Sequence, residues 1–202
     1  MPLTVKFQQP SIPEPFYWFN KPARYSVGDG LEIYTDEKTD FWQRTYYGFQ
    51  RDNGHSLFVR QAGDFSLVTR VESRPREQYD QCGLMVRADS GNWIKVSTEY
   101  ENEQWSRLGS VVTHRGFSDW ATQDIPSGYE EMWYRIRKNG QDFLLESSSD
   151  GRDWLQLRIT HLQKIPGTLE VGVYACSPVG KDFWCRFKVL AISENEWYHE
   201  SE

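Results

Sequence analysis

The chain has 202 residues and a formal net charge of −6, and it is 26% charged and 38% hydrophobic. Its Arg and Lys are scattered among Asp and Glu with no basic stripe, which excludes a partner held by phosphate neutralisation, so no nucleic acid is expected. The apolar runs are a handful of residues long, far below the roughly 20 that cross a bilayer, so no membrane partner is expected either.

The length suits one all-β domain over residues 1–202, with an extended N-terminal arm (1–20) and an acidic C-terminal tail (193–202). Met1-Pro2-Leu3-Thr4-Val5-Lys6 has neither a basic n-region nor an apolar h-region, so it does not read as a signal peptide. The three cysteines, Cys82, Cys176 and Cys185, are an odd count in apolar, strand-like surroundings. They read as free thiols of a cytoplasmic protein. No Cys-x-x-Cys pair occurs and only four His are present, so no metal and no cofactor are expected. Aromatic residues make up 15% of the chain. Most are needed for a β core, and a few remain for a groove.

Period-2 alternation broken by Gly, Asn, Asp and Pro clusters predicts strands in chain order. The first are Leu3–Gln8, Leu31–Thr35, Trp42–Tyr47, Ser56–Ala62, Phe65–Ser73, Gly83–Ala88 and Trp93–Glu101. Arg107–His114, Trp133–Lys138, Asp142–Ser148, Leu155–Ile159, Thr168–Ala175 and Phe183–Ile192 follow. Gly63-Asp64, Ser90-Gly91-Asn92 and Asn139-Gly140 are the turn chemistry between them. Pro10 to Pro15 reads as an extended arm or edge. His161-Leu162-Gln163-Lys164 is long enough for one helical turn and no segment sustains more. Short strands without intervening helices predict antiparallel sheets folded as a sandwich or jelly roll.

Several stretches carry a family likeness. They are Lys38-Thr39-Asp40-Phe41-Trp42, Asp80-Gln81-Cys82-Gly83-Leu84-Met85-Val86-Arg87, Trp93-Ile94-Lys95 with Glu99-Tyr100, and Ser118-Asp119-Trp120. With Ser149-Asp150-Gly151-Arg152-Asp153-Trp154 and Gly172-Val173-Tyr174-Ala175-Cys176-Ser177-Pro178, they resemble the bacterial and fungal family that includes the fungal regulation-of-enolase protein. The resemblance runs from about Asp40 to Phe187. It implies a two-sheet antiparallel jelly-roll sandwich of the concanavalin A-like lectin/glucanase type. It implies no particular activity, and the enolase link belongs to the fungal members.

Within Trp93–Glu101, alternation puts Ile94, Val96, Thr98 and Tyr100 on one face and Trp93, Lys95, Ser97, Glu99 and Glu101 on the other. Leu84 and Val86 point to the core, which turns Met85 and Arg87 outward. If these strands are neighbours, Arg87, Lys95 and Glu99 share one polar surface. Trp133, Arg135 and Arg137 alternate along a further strand. Ordinary cross-strand ion pairs, worth about 0.2–1 kcal/mol each, explain such a face as well as a ligand does. Asp119 beside Trp120 suits a groove rim, where the carboxylate bonds hydroxyls and the indole stacks. Ser149-Asp150-Gly151 reads as a hairpin turn onto which Trp154 packs.

Paired carboxylates are the alternative. Glu99 and Glu101 lie two residues apart on one face, about 6.5–7 Å at the backbone. That falls within the range glycosidases use, about 5–9.5 Å. The Glu-x-Asp-x-x-Glu pattern of glucanases on this fold is absent, because the stretch reads Glu99-Tyr100-Glu101-Asn102-Glu103. No Gly-x-Ser-x-Gly elbow or phosphate loop is present.

The leading expectation is therefore a non-catalytic binding or regulatory protein whose groove takes a carbohydrate-type ligand. Its binding candidates are Arg87, Trp93, Lys95, Glu99, Asp119, Trp120 and Arg135. The runner-up is a glycoside-active enzyme using Glu99 and a second carboxylate, Glu101. A third reading is a protein-interaction module regulating a metabolic enzyme. A monomer or weak dimer is expected.

Overall fold

Alternation every two residues dictates strands, and strands form throughout the structure, a computed structural model that describes residues 2–197. The first nine are β1 (Leu3–Val5), β2 (Tyr17–Phe19), β3 (Arg24–Val27), β4 (Leu31–Tyr34), β5 (Phe41–Gln43), β6 (Gln50–Asp52), β7 (His55–Ala62), β8 (Phe65–Arg74) and β9 (Gln81–Asp89). Then come β10 (Asn92–Tyr100), β11 (Trp105–His114), β12 (Phe117–Pro126), β13 (Glu131–Asn139), β14 (Asp142–Ser148), β15 (Leu155–His161), β16 (Thr168–Cys176) and β17 (Trp184–Ser193). No helix occurs among the described residues.

An eight-stranded sheet runs β15-β14-β13-β8-β17-β4-β3, with β1 added against β17. A seven-stranded sheet runs β12-β11-β10-β9-β16-β7-β2, and β5 and β6 form a separate ribbon. Every pairing is antiparallel. This is the expected two-sheet antiparallel sandwich.

The main core lies between the sheets. Leu67, Ile136, Phe143 and Phe187 of one sheet meet Leu57, Leu84, Val96 and Val173 of the other. Each such side chain gains about 1.5–3 kcal/mol on burial. Tyr134 also ties the layers together by hydrogen bonding. Its hydroxyl donates to Thr98 Oγ1 at 2.7 Å and accepts from the Thr98 amide at 2.8 Å.

A second apolar cluster sits on the outer face of the seven-stranded sheet. There Phe41 and Trp42 of the ribbon pack on Phe58, Met85, Trp93, Val111, Tyr174 and Cys176. A Cβ on Gly54 would run into the Phe41 ring and Cys176 Sγ, so that position needs glycine for the ribbon to dock. Gln43 N donates to Ser118 Oγ at 2.9 Å, fastening the ribbon to β12.

The expected strand Trp42–Tyr47 stops at Gln43. Arg44 (φ 56°) and Tyr46 (φ 60°) turn the chain back through left-handed backbone, which period-2 patterning does not register. The segment around Ser118-Asp119-Trp120, outside the predicted strands, is part of strand β12. It is an edge strand, exposed along most of its length, so it lacks the apolar alternation that reveals a strand. The N-terminal arm holds two short strands, β1 against β17 and β2 against β7. His161–Lys164 makes no helical turn, because the chain leaves β15 at His161 and turns with Lys164 at φ 55°. Of the expected acidic tail, Ser193 closes β17 and residues 198–202 lie outside the described residues.

The turn at Ser149-Asp150-Gly151 has the expected chemistry. Asp150 Oδ1 accepts from the Arg152 and Asp153 amides at 2.8 and 2.9 Å, which holds its carboxyl below the usual range. Cys82, Cys176 and Cys185 are free and buried. Among the described residues, no helix is long and apolar enough to cross a membrane.

Candidate functional site

Strand register places β9 and β10 side by side, with Glu99 opposite Gln81, Lys95 opposite Met85 and Trp93 opposite Arg87. On the other side of β10, Glu99 faces Arg107, Ser97 faces Gly109 and Lys95 faces Val111, and Val111 in turn faces Trp120 of β12. Between the row through Glu99 and the row through Lys95 runs a row of small residues, Gly83, Ser97 and Gly109. A side chain at Gly83 or Gly109 would strike the carbonyl of Val96 or Ala121.

Beside this row, the ribbon and its loop enclose a cavity of about 320 Å3. Lys95, Glu99 and Gln81 line its floor, Asp40 and Trp42 its ribbon side, and Tyr47, Phe49 and Trp120 its rim.

The floor is a hydrogen-bond network. Lys95, 2% exposed, donates to Phe41 O at 3.0 Å and Gln81 Oε1 at 2.9 Å, and lies 3.6 Å from Asp40 Oδ1. Gln81 Oε1 also accepts from Tyr174 OH at 3.1 Å. Its Nε2 donates to Tyr79 O at 3.1 Å and Glu99 Oε2 at 2.7 Å. Both ends of the amide are occupied, which fixes its orientation. Burial pushes the Glu99 carboxyl up to about 7, with the Asp40 and Glu101 carboxylates adding to the rise. Lys95 and the bond from Gln81 oppose it. Among the described residues nothing donates to Glu99 Oε1.

The rim is aromatic and braced. Trp42 Nε1 donates to Thr45 O at 3.0 Å, and its ring meets Tyr47 edge-on at 5.5 Å. Tyr47 stacks on Phe49 at 5.8 Å. Tyr47, Phe49 and Trp120 stay exposed.

Of the residues singled out in the sequence, Lys95, Glu99 and Trp120 meet at this cavity. Arg87 shares the sheet face but lies at its other end. It bonds Asp52 at 2.7 Å, approaches Glu170 at 3.6 Å and lies under the Phe19 ring at 4.5 Å. Trp93 is fully buried beneath Phe41, with ring centroids 6.1 Å apart. Asp119 is exposed and pairs with Arg158 at 3.0 Å outside the cavity. Arg135 stands on the other sheet, gripping Glu146 at 2.6 and 2.8 Å beneath the Trp154 ring. Glu101 does not line the cavity, because its carboxylate accepts from Gln78 at 2.6 Å and Arg107 at 3.3 Å. The second carboxylate that does line it is Asp40.

Sequence reasoning missed Asp40, Gln81, Trp42, Tyr47 and Phe49 as site residues. Asp40 and Gln81 stood in the family-like stretches, directly before Phe41-Trp42 and Cys82-Gly83. The loop rings left no periodic signal. Among the described residues, no cluster of His, Cys, Asp and Glu is arranged to hold a metal ion.

The family model described as "Protein of unknown function (DUF1349)" matches residues 18–195. "Regulation of enolase protein 1" of Saccharomyces cerevisiae is 36% identical over 162 residues, 80% of each chain. A solved structure of a functionally unknown protein from Saccharomyces cerevisiae superposes with a TM-score of 0.83 at 33% identity, covering 89% of this chain and 96% of that one. At 15% identity, a xylan beta-1,4-xylosidase from Bacillus halodurans shares the fold with a TM-score of 0.74. That match covers 95% of this chain but 39% of the xylosidase, so the chain corresponds to one part of the larger protein.

Proposed function

Since this chain belongs to the DUF1349 family of proteins of unknown function, we propose from the chemistry of its cavity that it is a non-catalytic binding protein for a carbohydrate-type ligand. One observation carries this reading: a polar floor of buried Gln81 and Lys95 with half-buried Glu99 lies directly below a rim of exposed aromatic rings. A sugar ring offers hydroxyls at its edge and C–H groups on its faces. Glu99 Oε1 is available to accept from a hydroxyl, and Trp120, Tyr47 and Phe49 offer flat faces. Small-ligand sites pair a mostly apolar lining with a few convergent polar groups in this way, typically at about 300–1,000 Å3.

The cation between the carboxylates argues against hydrolysis. Lys95 lies within 3.6 Å of Asp40 and reaches Glu99 through Gln81, so it compensates the two negative charges rather than leaving an acid and a base to act on opposite sides of a bond. Lys95 already commits two of its three N–H donors, to Phe41 O and Gln81 Oε1, and is 2% exposed. A regulatory role, which the yeast relative carries in its name, needs binding and not turnover. One observation favours the runner-up. A carboxyl near 7 is suited to donating a proton, so a glycosidase would use Glu99 as the acid and Asp40 as its partner.

The test is calorimetric titration of wild type, Glu99→Gln and Trp120→Ala with soluble sugars, xylo-oligosaccharides first. Glu99→Gln should weaken binding by about 1.5–3 kcal/mol, the range for a hydrogen bond to a charged group. Cleavage of the sugars by wild type, lost in Glu99→Gln, would make the runner-up correct. Silence from every sugar at millimolar concentration would remove the carbohydrate reading.

A further inference from the structure

A second, shallower depression of about 540 Å3 adjoins the cavity, and the rings of Trp42, Tyr47 and Trp120 wall both. Its remaining lining is Thr45, Tyr46, Ser118 and Asp119. We infer, resting on the carbohydrate reading, that the site takes an oligosaccharide rather than a single sugar. One unit sits over Gln81 and Glu99, and the following units cross Trp120 and Tyr47 onto this outer shelf.

Tyr46 carries much of the argument. Its side chain is 94% exposed, on a non-glycine residue held at φ 60°. Neither feature serves the core. The ring stands edge-on to Tyr47 at 5.0 Å and continues the aromatic line away from the cavity. The loop that presents it is tightly tied. Arg44 N donates to Phe49 O at 2.9 Å and Gly48 N to Arg44 O at 2.7 Å.

The opposite wall of the shelf is locked to the same loop. Arg44 Nη1 donates to Gly116 O at 2.9 Å in the turn between β11 and β12. Ser118 Oγ accepts from the ribbon at Gln43 N. Both walls are thus set before a ligand arrives, which spares the ordering cost a long ligand would otherwise impose.

Charge narrows the ligand class. The shelf carries one carboxylate, Asp119, already paired with Arg158 at 3.0 Å. The cavity holds Asp40 and Glu99 against Lys95 and Arg51. No surplus of cations exists for a phosphate backbone, although stacked rings alone would suit bases as well as sugars. Neutral, hydroxyl-rich chains fit both halves.

The experiment measures affinity against chain length. Xylose, xylobiose, xylotriose and xylotetraose, with the matching cello-, manno- and galacto- series, are titrated into the full chain as wild type, Tyr46→Ala and Glu99→Gln. Circular dichroism and thermal melting check that each variant is folded, which an exposed side chain such as Tyr46 should not disturb. Affinity should rise at least tenfold from one unit to three. Tyr46→Ala should remove most of that gain while leaving the monosaccharide unchanged, and Glu99→Gln should weaken every length. Equal affinity at all lengths, or a Tyr46→Ala variant with the wild-type gain, overturns the extended site and leaves the sugar reading intact. If no member of any series binds, both fall together.

Discussion

Gln81 Nε2 donates to Glu99 Oε2 at 2.7 Å across the paired strands β9 and β10, while the other end of the same amide accepts from Lys95 at 2.9 Å. One neutral side chain therefore transmits the field of a buried cation to a carboxyl that burial holds near 7.

That carboxyl makes stability depend on pH. With a folded value of about 7 against 4.5 unfolded, Glu99 keeps its proton in the native state while the unfolded chain loses it. The contribution is fully present below about pH 4.5, declines as pH rises and is gone above about pH 7. At 1.36 kcal/mol per pK unit, discounted for partial exposure, the loss is about 2–3 kcal/mol. Glu99→Gln cannot ionise and should not show it. Urea denaturation of both proteins at pH 5 and pH 8 checks this. An equal pH response in the two would mean that Glu99 titrates near its ordinary value.

Removing the cation should be costly. Lys95→Met keeps the stem but leaves Asp40 and Glu99 without compensation in a buried setting, for a loss of about 3 kcal/mol. The loss should be larger at pH 8, where Glu99 is ionised, than at pH 5. Adding Glu99→Gln should recover part of it, and a double-mutant cycle in chemical denaturation gives the coupling. Strict additivity would show that the two groups do not interact.

Arg135 separates stability from binding. It lies on the far sheet in a fork to Glu146 under Trp154, remote from the cavity. Arg135→Met should destabilise by about 1–3 kcal/mol by leaving Glu146 less well paired, since Arg137 at 3.1 Å compensates in part. Ligand affinity measured by calorimetry should not change. A tenfold loss of affinity would require a second site on that sheet.

The thiols offer an independent check of the core. Burial pushes Cys176 and Cys185 well above the ordinary thiol range, and Cys82 is buried beside them. Labelling with a thiol reagent at pH 8 should be slow in the native protein and should reach three groups in denaturant without reductant. Rapid native labelling would contradict the packing described for β9, β16 and β17.

The sandwich was legible because its buried strands alternate strictly. Leu84 and Val86, or Ile94 and Val96, announce both the strand and its inner face. The outer face of β10 followed from the same alternation, and so Lys95 and Glu99 were placed together. What did not follow was anything set by pairing or by irregular backbone. Arg135 looked equivalent to Arg87 in sequence because alternation does not say which sheet a strand joins. Trp93 looked available because nothing in its own strand shows that Phe41 covers it. Asp40, Tyr47 and Phe49 reach the cavity only through a ribbon of three-residue strands and a loop turned by left-handed residues, which periodicity cannot reveal.

The row of Gly83, Ser97 and Gly109 in the strands that carry the floor also governs how this site could change. Carbonyl groups of neighbouring strands stand where a side chain at either glycine would go, so substitution there disrupts the sheet instead of reshaping the cavity. The backbone of the strands beneath the floor is thereby fixed at these two positions. The roof is not: the turn from Arg44 to Phe49 lies largely exposed and carries most of the rim rings. New ligand preferences, whether reached by drift or by engineering, are accessible through that six-residue loop while the platform beneath it stays constant.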